Sequence, residues 1–330
     1  MSETKKRILT GDRPTGKLHL GHFAGSLQNR CQLQHEYESY IIIADVQALT
    51  THWELDSLLA QDVRHIALDY LAAGLDPNVC TILIQSMVPE IHELTTYFSL
   101  FTSVNVLRHN PTIKSEAAQH GYTDMTYGFL GYPVSQAADI SIFKAHLVPV
   151  GEDQIPHIEL ARKIVRRFND LYAPVLVEPR ALISKVPRLV GLDGKNKMSK
   201  SLNNCIFLSD DPAAVQTKVN TAVTDPARIR KTDPGHPEIC TVFEYQRIFN
   251  EMQTEEIETD CKKGQIGCVE CKKRLAAQIN ALLLPMHERR GQYQNPEQVM
   301  DILVHGTEKA RKVAQATMEE VRDAMSINYF

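Results

Sequence analysis

Two histidines near the start of the chain have a type and spacing that suit phosphate binding. His19 and His22 lie three residues apart, after a short apolar run and a turn rich in glycine, Gly11–Gly16. A strand followed by a turn and a helix points backbone N–H groups and the positive helix end at an anion. Gly21 permits close approach, and imidazole N–H groups can donate hydrogen bonds to phosphate oxygens. Alone, the H-x-x-H pattern is weak evidence, because paired histidines on a helical surface are common.

A lysine-rich segment beyond the middle of the chain suits a departing pyrophosphate. Residues 194–201 have the sequence GKNKMSKS, which predicts a loop that carries several ammonium groups. Once such a loop closes over a ligand, its lysines can neutralise the charge of the leaving group. A basic surface loop has the same composition, so this segment alone does not distinguish a site from a surface.

Asp139 is a carboxylate within a largely apolar run that is predicted to be helical. Burial of an unpaired carboxylate is costly, so Asp139 should accept a hydrogen bond from a buried donor. The residues alone leave two donors open, namely an N–H group of a bound substrate and the ammonium group of Lys144. The first would place Asp139 in a binding pocket, and the second would make it a structural residue.

Four of the seven cysteines crowd into one segment of the second half. Cys240, Cys261, Cys268 and Cys271 have the spacing C-x20-C-x6-C-x2-C, enough for four thiolates around one metal centre. Structural zinc sites usually show two close cysteine pairs, whereas Cys268 and Cys271 form a single close pair. The spacing therefore allows a metal centre without identifying the metal.

Alternating strand and helix signals in the first half predict the scaffold that must position these groups. Apolar β-branched runs at residues 7–10, 40–44 and 81–84 are each followed by a segment with helical periodicity. The predicted helix after the first run begins at about His19, and the predicted helix after the second run covers Leu58–Leu71. This alternation predicts a parallel sheet wrapped by helices, with ligands at the carboxyl ends of its strands. We therefore predict an α/β fold with a Rossmann-type parallel-sheet domain that binds a nucleotide.

The strand signals stop after about Leu208. Three later segments, Pro212–Thr221, Cys271–Leu284 and Thr307–Met325, have helical spacing and abundant strong helix formers. We therefore predict a Rossmann-type catalytic domain over residues 1–208 and a C-terminal all-helical domain over residues 209–330. A chain of 330 residues exceeds a comfortable single hydrophobic core, which agrees with two domains.

The composition excludes several classes of protein. A net charge of −4, with 23% charged and 43% hydrophobic residues, is typical of a soluble folded protein rather than a disordered or membrane-embedded one. The first residues, MSETKKRILTGDRP, lack the apolar core of a signal peptide, and no stretch approaches the roughly 20 apolar residues that span a bilayer. We expect a cytoplasmic protein with no membrane partner, in which the cysteines form no disulfide framework.

Together, the histidine and lysine segments resemble the two signatures of class I aminoacyl-tRNA synthetases. His19–His22 (HLGH) is similar to the HIGH signature, and Lys197–Ser201 (KMSKS) resembles the KMSKS signature throughout, in the order and separation of the family. Between them, Gly128–Ile140 and Val148–Leu160 are similar to the amino-acid-pocket segments of tryptophanyl-tRNA synthetases. The resemblance continues through Asp225–Arg228 and the last helix, so it covers nearly the whole chain.

The resemblance implies which residues bind ATP. His19, Gly21 and His22 would contact the phosphates, whereas Lys197 and Lys200 would steady the β- and γ-phosphates. Carboxylates accept hydrogen bonds from hydroxyl groups, which suits residues 151–153 to the ribose. The implied catalytic residues are His19, His22, Lys197 and Lys200, and the implied ATP-binding residues are Arg13, Pro14, Thr15, Gly21, His22, Gly151, Glu152, Asp153, Lys197, Met198, Ser199, Lys200 and Ser201.

The resemblance also implies a tryptophan pocket. The indole N–H would donate to Asp139, which favours tryptophan over phenylalanine because a buried acceptor rejects analogues that lack the donor. Tyr132 and Gln154 would contact the ring and the α-amino group, while Gln136 and Gln47 would line the pocket. The chain departs from frequent residues of the family in three places, where histidine, methionine and glutamine are replaced by Gln47, Gln136 and Arg13.

The implied enzyme is an ATP-dependent tryptophan–tRNA ligase that forms AMP and pyrophosphate. The carboxylate of L-tryptophan would attack the α-phosphate of ATP, bound with Mg²⁺, to give tryptophanyl-adenylate and pyrophosphate. The tryptophan would then pass to the 3′-terminal ribose of tRNA(Trp), with no covalent enzyme intermediate. The resemblance implies a homodimer as well.

A subset of bacterial tryptophanyl-tRNA synthetases carries a similar C-terminal cysteine cluster that binds a [4Fe–4S] centre. The resemblance implies such a centre here, while the residues alone leave zinc and free thiols open. Basic side chains beside the cysteines would suit phosphate contacts with a tRNA anticodon stem, namely those of Lys262, Lys263, Lys272 and Lys273.

Two alternative functions stay open. A tyrosyl-tRNA synthetase shares the fold and both signatures, although its pocket segments are expected to differ from Gly151–Gln154 and His157–Leu160. A synthetase-like protein that no longer charges tRNA would bind RNA or a ligand without turning over ATP. The intact histidines and lysines of the two signatures argue against the second alternative.

Overall fold

The computed structural model describes residues 5–51, 53, 59–183, 189–293 and 295–329. Its strands are β1 (Arg7–Asp12), β2 (Glu38–Ile43), β3 (Thr81–Ile84), β4 (Leu147–Val150) and β5 (Arg180–Ile183). Its α-helices are α1 (Leu20–His22), α2 (Gln28–Glu36), α3 (Asp45–Leu49), α4 (Leu59–Ala73), α5 (Pro89–Ser99), α6 (Val104–Arg108), α7 (Pro111–His120), α8 (Tyr127–Ile142), α9 (Ile155–Leu171), α10 (Pro212–Thr221), α11 (Thr241–Phe249), α12 (Thr254–Lys262), α13 (Cys268–Gln292) and α14 (Pro296–Ala324). A π-helical turn, Phe23–Leu27, joins α1 to α2.

The strands form a parallel sheet with the order β3-β2-β1-β4-β5. β1 pairs with β2 from Arg7 opposite Glu38 to Asp12 opposite Ile43, and it pairs with β4 on its other side. The chain therefore adds strands on one side of β1 as far as β3 and then crosses to the other side. In open α/β sheets, such a switch point leaves a crevice at the carboxyl ends of the neighbouring strands, where ligands bind.

The predicted α/β fold with a helical C-terminal region is confirmed. The apolar runs at residues 7–10, 40–44 and 81–84 correspond to β1, β2 and β3, and after Leu208 each regular element of the described residues is helical. Helix α10 has the predicted bounds, and Asp211 caps it by accepting a hydrogen bond from the Ala214 N–H at 2.7 Å. The predicted helix start at Leu58 lies outside the described residues. None of the helices described has the length and apolar character needed to cross a membrane.

Strands β4 and β5 carry weak sequence signals and were not predicted. β4 contains Pro149, which has no N–H to donate to a neighbouring strand. β5 lies at an edge of the sheet, where Arg180 and Ile183 are exposed. Because neither strand is a continuous buried apolar run, neither resembles the central strands of a parallel sheet.

Apolar side chains cover both faces of the sheet. Alternate residues of β2 point to opposite faces. Ile41 and Ile43 pack with α4 and α13 in one core cluster, whereas Tyr40 and Ile42 pack with α8 and α9 in the other. Each cluster also contains residues from beyond position 208, such as Ile279 in the first and Met318 in the second. The C-terminal helices therefore contribute directly to the core around the sheet.

Helix α14 covers the edge of the sheet formed by β3. The Thr307 hydroxyl accepts a hydrogen bond from the Ile84 N–H at 3.1 Å, which satisfies a donor of this edge strand. The close approach requires Gly306, because a Cβ at this position would lie 2.0 Å from the carbonyl oxygen of Ile82. Uncovered edge strands promote aggregation, so α14 protects the sheet as well as stabilising it.

Replacement of Gly306 by alanine is expected to destabilise the protein. The added methyl group would overlap the Ile82 carbonyl oxygen and push α14 away from β3. We expect a loss of about 3 kcal/mol in the free energy of unfolding, as for other overpacked sites, measured by urea denaturation. Gly291→Ala is the matched control: this glycine of α13 has no atom within 4 Å of an added Cβ. Its alanine variant should gain about 0.5 to 1 kcal/mol through helix propensity, and equal stability of Gly306→Ala and wild type would contradict the tight contact.

Candidate active site

A cavity of about 370 Å³ opens at the carboxyl ends of β1 and β4. Its wall includes Gly11 and Asp12 from the end of β1 and Val150 and Gly151 from the end of β4. The cavity therefore lies at the switch point, where an α/β sheet binds its ligand. Nine of the predicted site residues, spread from position 13 to position 197, lie in this wall: Arg13, Gln47, Tyr132, Gln136, Asp139, Gly151, Asp153, Gln154 and Lys197.

The two histidines flank the first turn of helix that follows β1. His19 precedes α1 and His22 is its last residue, with ring centroids 3.8 Å apart. The His19 N–H donates a hydrogen bond to His22 Nδ1 at 3.2 Å. The helix then continues through the π-helical turn Phe23–Leu27 into α2. Such turns are rare within helices and often occur at functional sites.

Both histidines are neutral at pH 7. Burial, the neighbouring His22 and two nearby lysine ammonium groups lower the pKa of His19 to about 2. Burial also lowers the pKa of His22 to about 4, although the Asp12 carboxylate opposes this shift. The rings are therefore neutral hydrogen-bonding groups, and the positive charge beside them is that of Lys197 and Lys200.

The lysine-rich loop, residues 194–201, folds back onto His19–His22, the turn of helix that is called the histidine helix below. Met198 is buried, and its sulfur accepts a hydrogen bond from the Gly21 N–H at 3.2 Å. Lys200 reaches the turn before the histidines, where its ammonium group donates to the Thr15 carbonyl oxygen at 2.8 Å. Lys197 lies in the cavity wall. The structure thus brings the two signature segments together, with Met198 packed against the helix instead of lining the cavity.

Asn204 holds the lysine-rich loop in shape, although it was not among the predicted residues. Its side-chain oxygen accepts a hydrogen bond from the Ser199 N–H at 2.7 Å. Its amide group donates to Asp193 Oδ2 at 3.0 Å and to the Lys197 carbonyl oxygen at 3.2 Å. Gly191 leaves room for it, because a Cβ there would lie 2.0 Å from the Asn204 amide nitrogen. Nothing in the sequence around Asn204 distinguishes it from an ordinary loop residue, so its role is visible only from its contacts in the folded chain.

A buried ion pair, also absent from the predictions, fixes the end of β1. Arg30 donates to Asp12 at 2.6 Å and to the Gly11 carbonyl oxygen at 3.2 Å, and the Tyr70 hydroxyl donates to Asp12 at 2.7 Å. Burial alone would raise the pKa of Asp12, but Arg30 and Tyr70 hold it well below its usual range. Asp12 therefore stays ionised, and Arg30 balances its charge within the cavity wall.

Asp139 is buried on α8 and has a protein donor that was not predicted. The Gln85 side-chain amide donates to both of its oxygens, at 2.8 and 2.9 Å. The Gln47 N–H donates to Gln85 Oε1 at 3.1 Å and so orients the amide. Lys144, the alternative partner of Asp139, pairs with Glu320 at 2.6 Å instead. Burial raises the pKa of Asp139 to about 7, and the Gln85 hydrogen bond opposes the shift.

Tyr132 is held by a second buried histidine. Its hydroxyl oxygen lies 2.8 Å from His157 Nε2, and burial both lowers the pKa of His157 to about 4 and raises that of Tyr132. The pair is therefore neutral.

The two predicted glutamines of this part of the wall differ in their hydrogen bonds. Gln136 Oε1 is buried without a hydrogen-bond partner among the described residues, whereas Gln154 Nε2 donates to Asp153 Oδ2 at 3.1 Å. Gln136 thus offers an unused acceptor in the cavity wall.

Several predicted ATP-binding residues lie beside the cavity rather than in its wall. Pro14 is buried in the turn after β1, Glu152 is exposed after β4, and the hydroxyl oxygens of Ser199 and Ser201 lie 2.9 Å apart on the lysine-rich loop. A larger cleft, of about 1120 Å³, lies between the base of this loop and α11. Its wall contains none of the predicted ATP-binding or substrate residues in the described part of the chain.

The four clustered cysteines lie near one another in the C-terminal region. Arg228 Nη1 lies 3.7 Å from Cys261 Sγ and 3.9 Å from Cys268 Sγ. Burial raises the pKa of Cys271 to about 11, and the other three thiols reinforce this shift. Cys268 and Cys271 lie in the first turn of α13, and Cys240 precedes α11. Across the described ranges, no three histidine, cysteine or acidic side chains form a preassembled metal site.

The family to which the sequence is similar agrees with this parallel sheet and with the contact between the histidine helix and the lysine-rich loop. A family model described as tRNA synthetases class I (W and Y) matches residues 1–284. The match covers most of the chain, including the cavity and both signature segments. The fold and the site therefore define a class I aminoacyl-tRNA synthetase of the group for tryptophan and tyrosine.

Individual relatives narrow this assignment. The tryptophan–tRNA ligase of Clostridium longisporum is 49% identical over 336 residues, which cover 99% of this chain and 98% of that one. The Lactococcus lactis ligase is 48% identical over 99% of both chains. A structure of the Campylobacter jejuni tryptophanyl-tRNA synthetase, in complex with ADP and tryptophan, superimposes with a TM-score of 0.85 at 31% identity and covers 97% of this chain and 99% of that chain. The chain belongs to the tryptophan–tRNA ligase family.

Replacement of Asp139 by asparagine is expected to stabilise the protein as the pH rises. The carboxyl group has a pKa of about 7 in the folded chain, above its ordinary value of 3.8, so folding favours its protonated form. The contribution of this group to the free energy of unfolding is fully present below pH 3.8 and is lost as the pH rises through 7. Asparagine stays neutral at every pH, so the variant has no such loss. Between pH 5 and pH 8 the variant should gain about 2 kcal/mol over wild type in urea denaturation.

Asp124→Asn, at an exposed position, is the control and should show no such gain. A stability difference between Asp139→Asn and wild type that stays constant over this pH range would exclude the raised pKa.

Proposed function

We propose that the protein activates L-tryptophan with ATP and transfers it to tRNA(Trp). The observation that carries this proposal is the cavity at the switch point, whose wall contains Lys197 of the lysine-rich loop and the buried carboxylate of Asp139. The histidine helix packs against the same loop, through the hydrogen bond from the Gly21 N–H to the Met198 sulfur. The names of the similar relatives support the proposal, as do the ADP and tryptophan bound in the Campylobacter jejuni structure. Such a protein would work in the cytoplasm, where its substrates are found.

The phosphates of ATP would bind between the histidine helix and the lysine-rich loop. His19 and His22 are neutral, so they would act as hydrogen-bond donors without adding charge. Positive charge would come from Lys197 and Lys200. The Lys200 ammonium group now bonds to the Thr15 carbonyl oxygen, at the mouth of this site, and a phosphate would be a stronger acceptor for it.

The reaction would be an in-line displacement at the α-phosphorus. A carboxylate oxygen of tryptophan would form the new bond while the bond to the bridging oxygen breaks, and pyrophosphate would leave with the electron pair. Negative charge builds on the leaving group, so Lys197 and Lys200 would stabilise the transition state more than the ground state. A hydroxyl of the tRNA 3′-terminal ribose would then attack the carbonyl carbon of the adenylate and lose its proton, while the bond to the phosphate oxygen breaks and AMP leaves.

Mg²⁺ would reach the site together with ATP. The described residues offer no preassembled group of carboxylates or histidines for a metal of their own. Mg²⁺ is often held by one or two carboxylates and by substrate phosphates rather than by an all-protein cage. When bound, it would neutralise part of the phosphate charge, while the signature residues orient the nucleotide.

Tryptophan would be recognised by a buried hydrogen bond and a flat wall. Gln85 fills one position on each Asp139 oxygen, and the remaining lone pairs are available to an indole N–H. Tyr132, fixed by His157, would pack against the ring. The unused acceptor of Gln136 would suit the ammonium group of the amino acid.

The C-terminal region would bind the tRNA anticodon. We propose residues 1–208 as the catalytic domain and residues 209–330 as the anticodon-binding domain. Lys263 and Lys273 are exposed beside the cysteine cluster, as contacts with the phosphate backbone require.

A homodimer would bury an apolar patch of the first domain. Val104 and Tyr127 line one groove and are 50% and 82% exposed, and Leu100, which follows the groove residue Ser99 in the chain, is 70% exposed. Clustered apolar side chains of this size are unusual on the surface of a monomer and mark interfaces.

Tryptophan-dependent ATP–pyrophosphate exchange tests the proposed activation step. The purified protein should catalyse exchange with tryptophan and with no other standard amino acid. Asp139→Asn should raise the dissociation constant for tryptophan by at least about 100-fold, because the site is built around a substrate N–H, and should leave the KM for ATP nearly unchanged. Asp124→Asn again serves as the surface control. Exchange with tyrosine alone would overturn the pocket assignment, and no exchange with any amino acid would refute the activity.

We propose that Cys240, Cys261, Cys268 and Cys271 hold a [4Fe–4S] centre. Burial raises the thiol pKa of Cys240 and Cys271, so a bound metal would be needed to hold them as thiolates. Cys240, Cys268 and Cys271 lie at helix N-termini, where the helix dipole would favour the thiolate form once a metal binds. The Arg228 guanidinium, beside the sulfur atoms of Cys261 and Cys268, would offset part of the negative charge of four thiolates. When bound, the centre would supply a structural link among the segments before α11, at the end of α12 and at the start of α13.

Iron analysis of anaerobically purified protein tests this centre. We expect about four iron and four sulfide per chain and a broad absorption at about 400 nm. Cys268→Ser should lose this absorption, whereas Cys31→Ser, outside the cluster, should keep it. Stoichiometric zinc without iron would overturn the iron–sulfur assignment, and protein free of both metals would leave the cysteines as plain thiols.

A further inference from the structure

Asp69, on α4, is a fully buried carboxylate outside the cavity wall. Its relative exposure is 0%. Its Oδ2 accepts a hydrogen bond from the Leu18 N–H at 2.7 Å. Leu18 directly precedes His19, so this bond holds the backbone from which the histidine helix begins. Asp69 therefore influences the path of the chain into the phosphate site.

Arg290, on α13, supplies the balancing charge from the C-terminal region. Its Nη2 contacts the other Asp69 oxygen, and its side chain is 21% exposed. Loss of one partner of such a pair leaves an uncompensated buried charge, which disturbs a structure more than loss of the whole pair. The pair therefore connects a helix beyond residue 208 to the start of α1.

The same backbone is held from a second direction. The Leu18 carbonyl oxygen accepts a hydrogen bond from the Leu208 N–H at 3.0 Å. The Leu208 carbonyl oxygen in turn lies 3.2 Å from Nε2 of His287, which is also on α13. Both backbone groups of Leu18 are therefore connected to this helix, the N–H through Asp69 and Arg290 and the carbonyl through Leu208.

We propose that Asp69 and Arg290 are positioning residues that fix the histidine helix against the phosphates of ATP. The inference rests on the proposed function, since ATP is the ligand that His19 and His22 would bind. Arg290 acts through Asp69, which acts through the Leu18 N–H. A shift of this backbone by about 1 Å would misplace both imidazoles, and misplacements of that size cost enzymes about 100-fold in rate. The tryptophan pocket around Asp139 on α8 would keep its shape.

Kinetic analysis of Arg290 variants tests the proposal. Arg290→Gln removes the charge that faces Asp69. It is expected to raise the KM for ATP, or to lower the kcat of tryptophan-dependent exchange, by about ten-fold. The dissociation constant for tryptophan, measured by calorimetry without ATP, should stay within about two-fold of wild type. Arg290→Lys keeps the charge without the planar fork and should give intermediate values. If Arg290→Gln does not fold, Arg290→Lys decides, and wild-type constants for that variant would overturn the proposal.

Arg289→Gln is the matched control on the same helix. Arg289 donates to the Ala72 carbonyl oxygen at 2.6 Å and to that of Ala73 at 3.3 Å, so it docks α13 on α4 without contacting Asp69. Its variant should keep kinetic constants within about two-fold of wild type. Equal loss of ATP-dependent activity in the Arg289 and Arg290 variants, or an equal loss of tryptophan affinity in Arg290→Gln, would indicate general loosening and overturn the proposal.

The proposed function and this inference can fail separately. Exchange in wild type with unchanged Arg290 variants would overturn the inference alone. No exchange in wild type would refute the proposed function, and direct titration with ATP would then decide the inference. In that titration, ATP binding about ten-fold weaker for Arg290→Gln than for Arg289→Gln would support it, and equal binding would overturn it.

Discussion

The pairing of β1 with β4, on the side of β1 away from β2, is the constraint on which the site depends. It separates the ends of two adjacent strands and leaves a crevice that no strand connection closes. The residues at the two strand ends form part of the cavity wall: Asp12, which is ion-paired with Arg30, at the end of β1 and Gly151 after β4. The histidine helix follows β1 and α8 precedes β4, so the topology alone brings the proposed phosphate and amino-acid sites to one place.

Burial then decides which groups of the site carry charge. The two signature histidines and His157 are neutral because their cationic forms would lose hydration. Asp139 lies near the midpoint of its titration at neutral pH, whereas Asp12 stays ionised because Arg30 lies against it. The positive charge nearest the two histidines is thus that of Lys197 and Lys200 on the lysine-rich loop.

The sequence predicted the elements whose pattern is local and missed those whose role comes from packing. β1 to β3 follow from apolar β-branched runs and α10 from its helical spacing, and the two signatures identified segments that pack against each other through Gly21 and Met198. β4 was missed because Pro149 interrupts its pattern. Asn204, Gln85 and Asp69 were missed because ordinary polar residues gain importance from partners that are distant in sequence. Asp139 was expected to need a buried donor, but nothing in its own segment pointed to Gln85.

The crossing of α14 over the sheet edge restricts how this chain can change during evolution. A backbone contact that tolerates no methyl group at Gly306 ties the inner face of the helix to the shape of β3. The outward faces of the C-terminal helices are free of that restriction. If the C-terminal helices bind tRNA as proposed, substitutions on their outward faces could change tRNA specificity without disturbing this contact. A helical region taken from another synthetase would fit only together with a matching sheet edge.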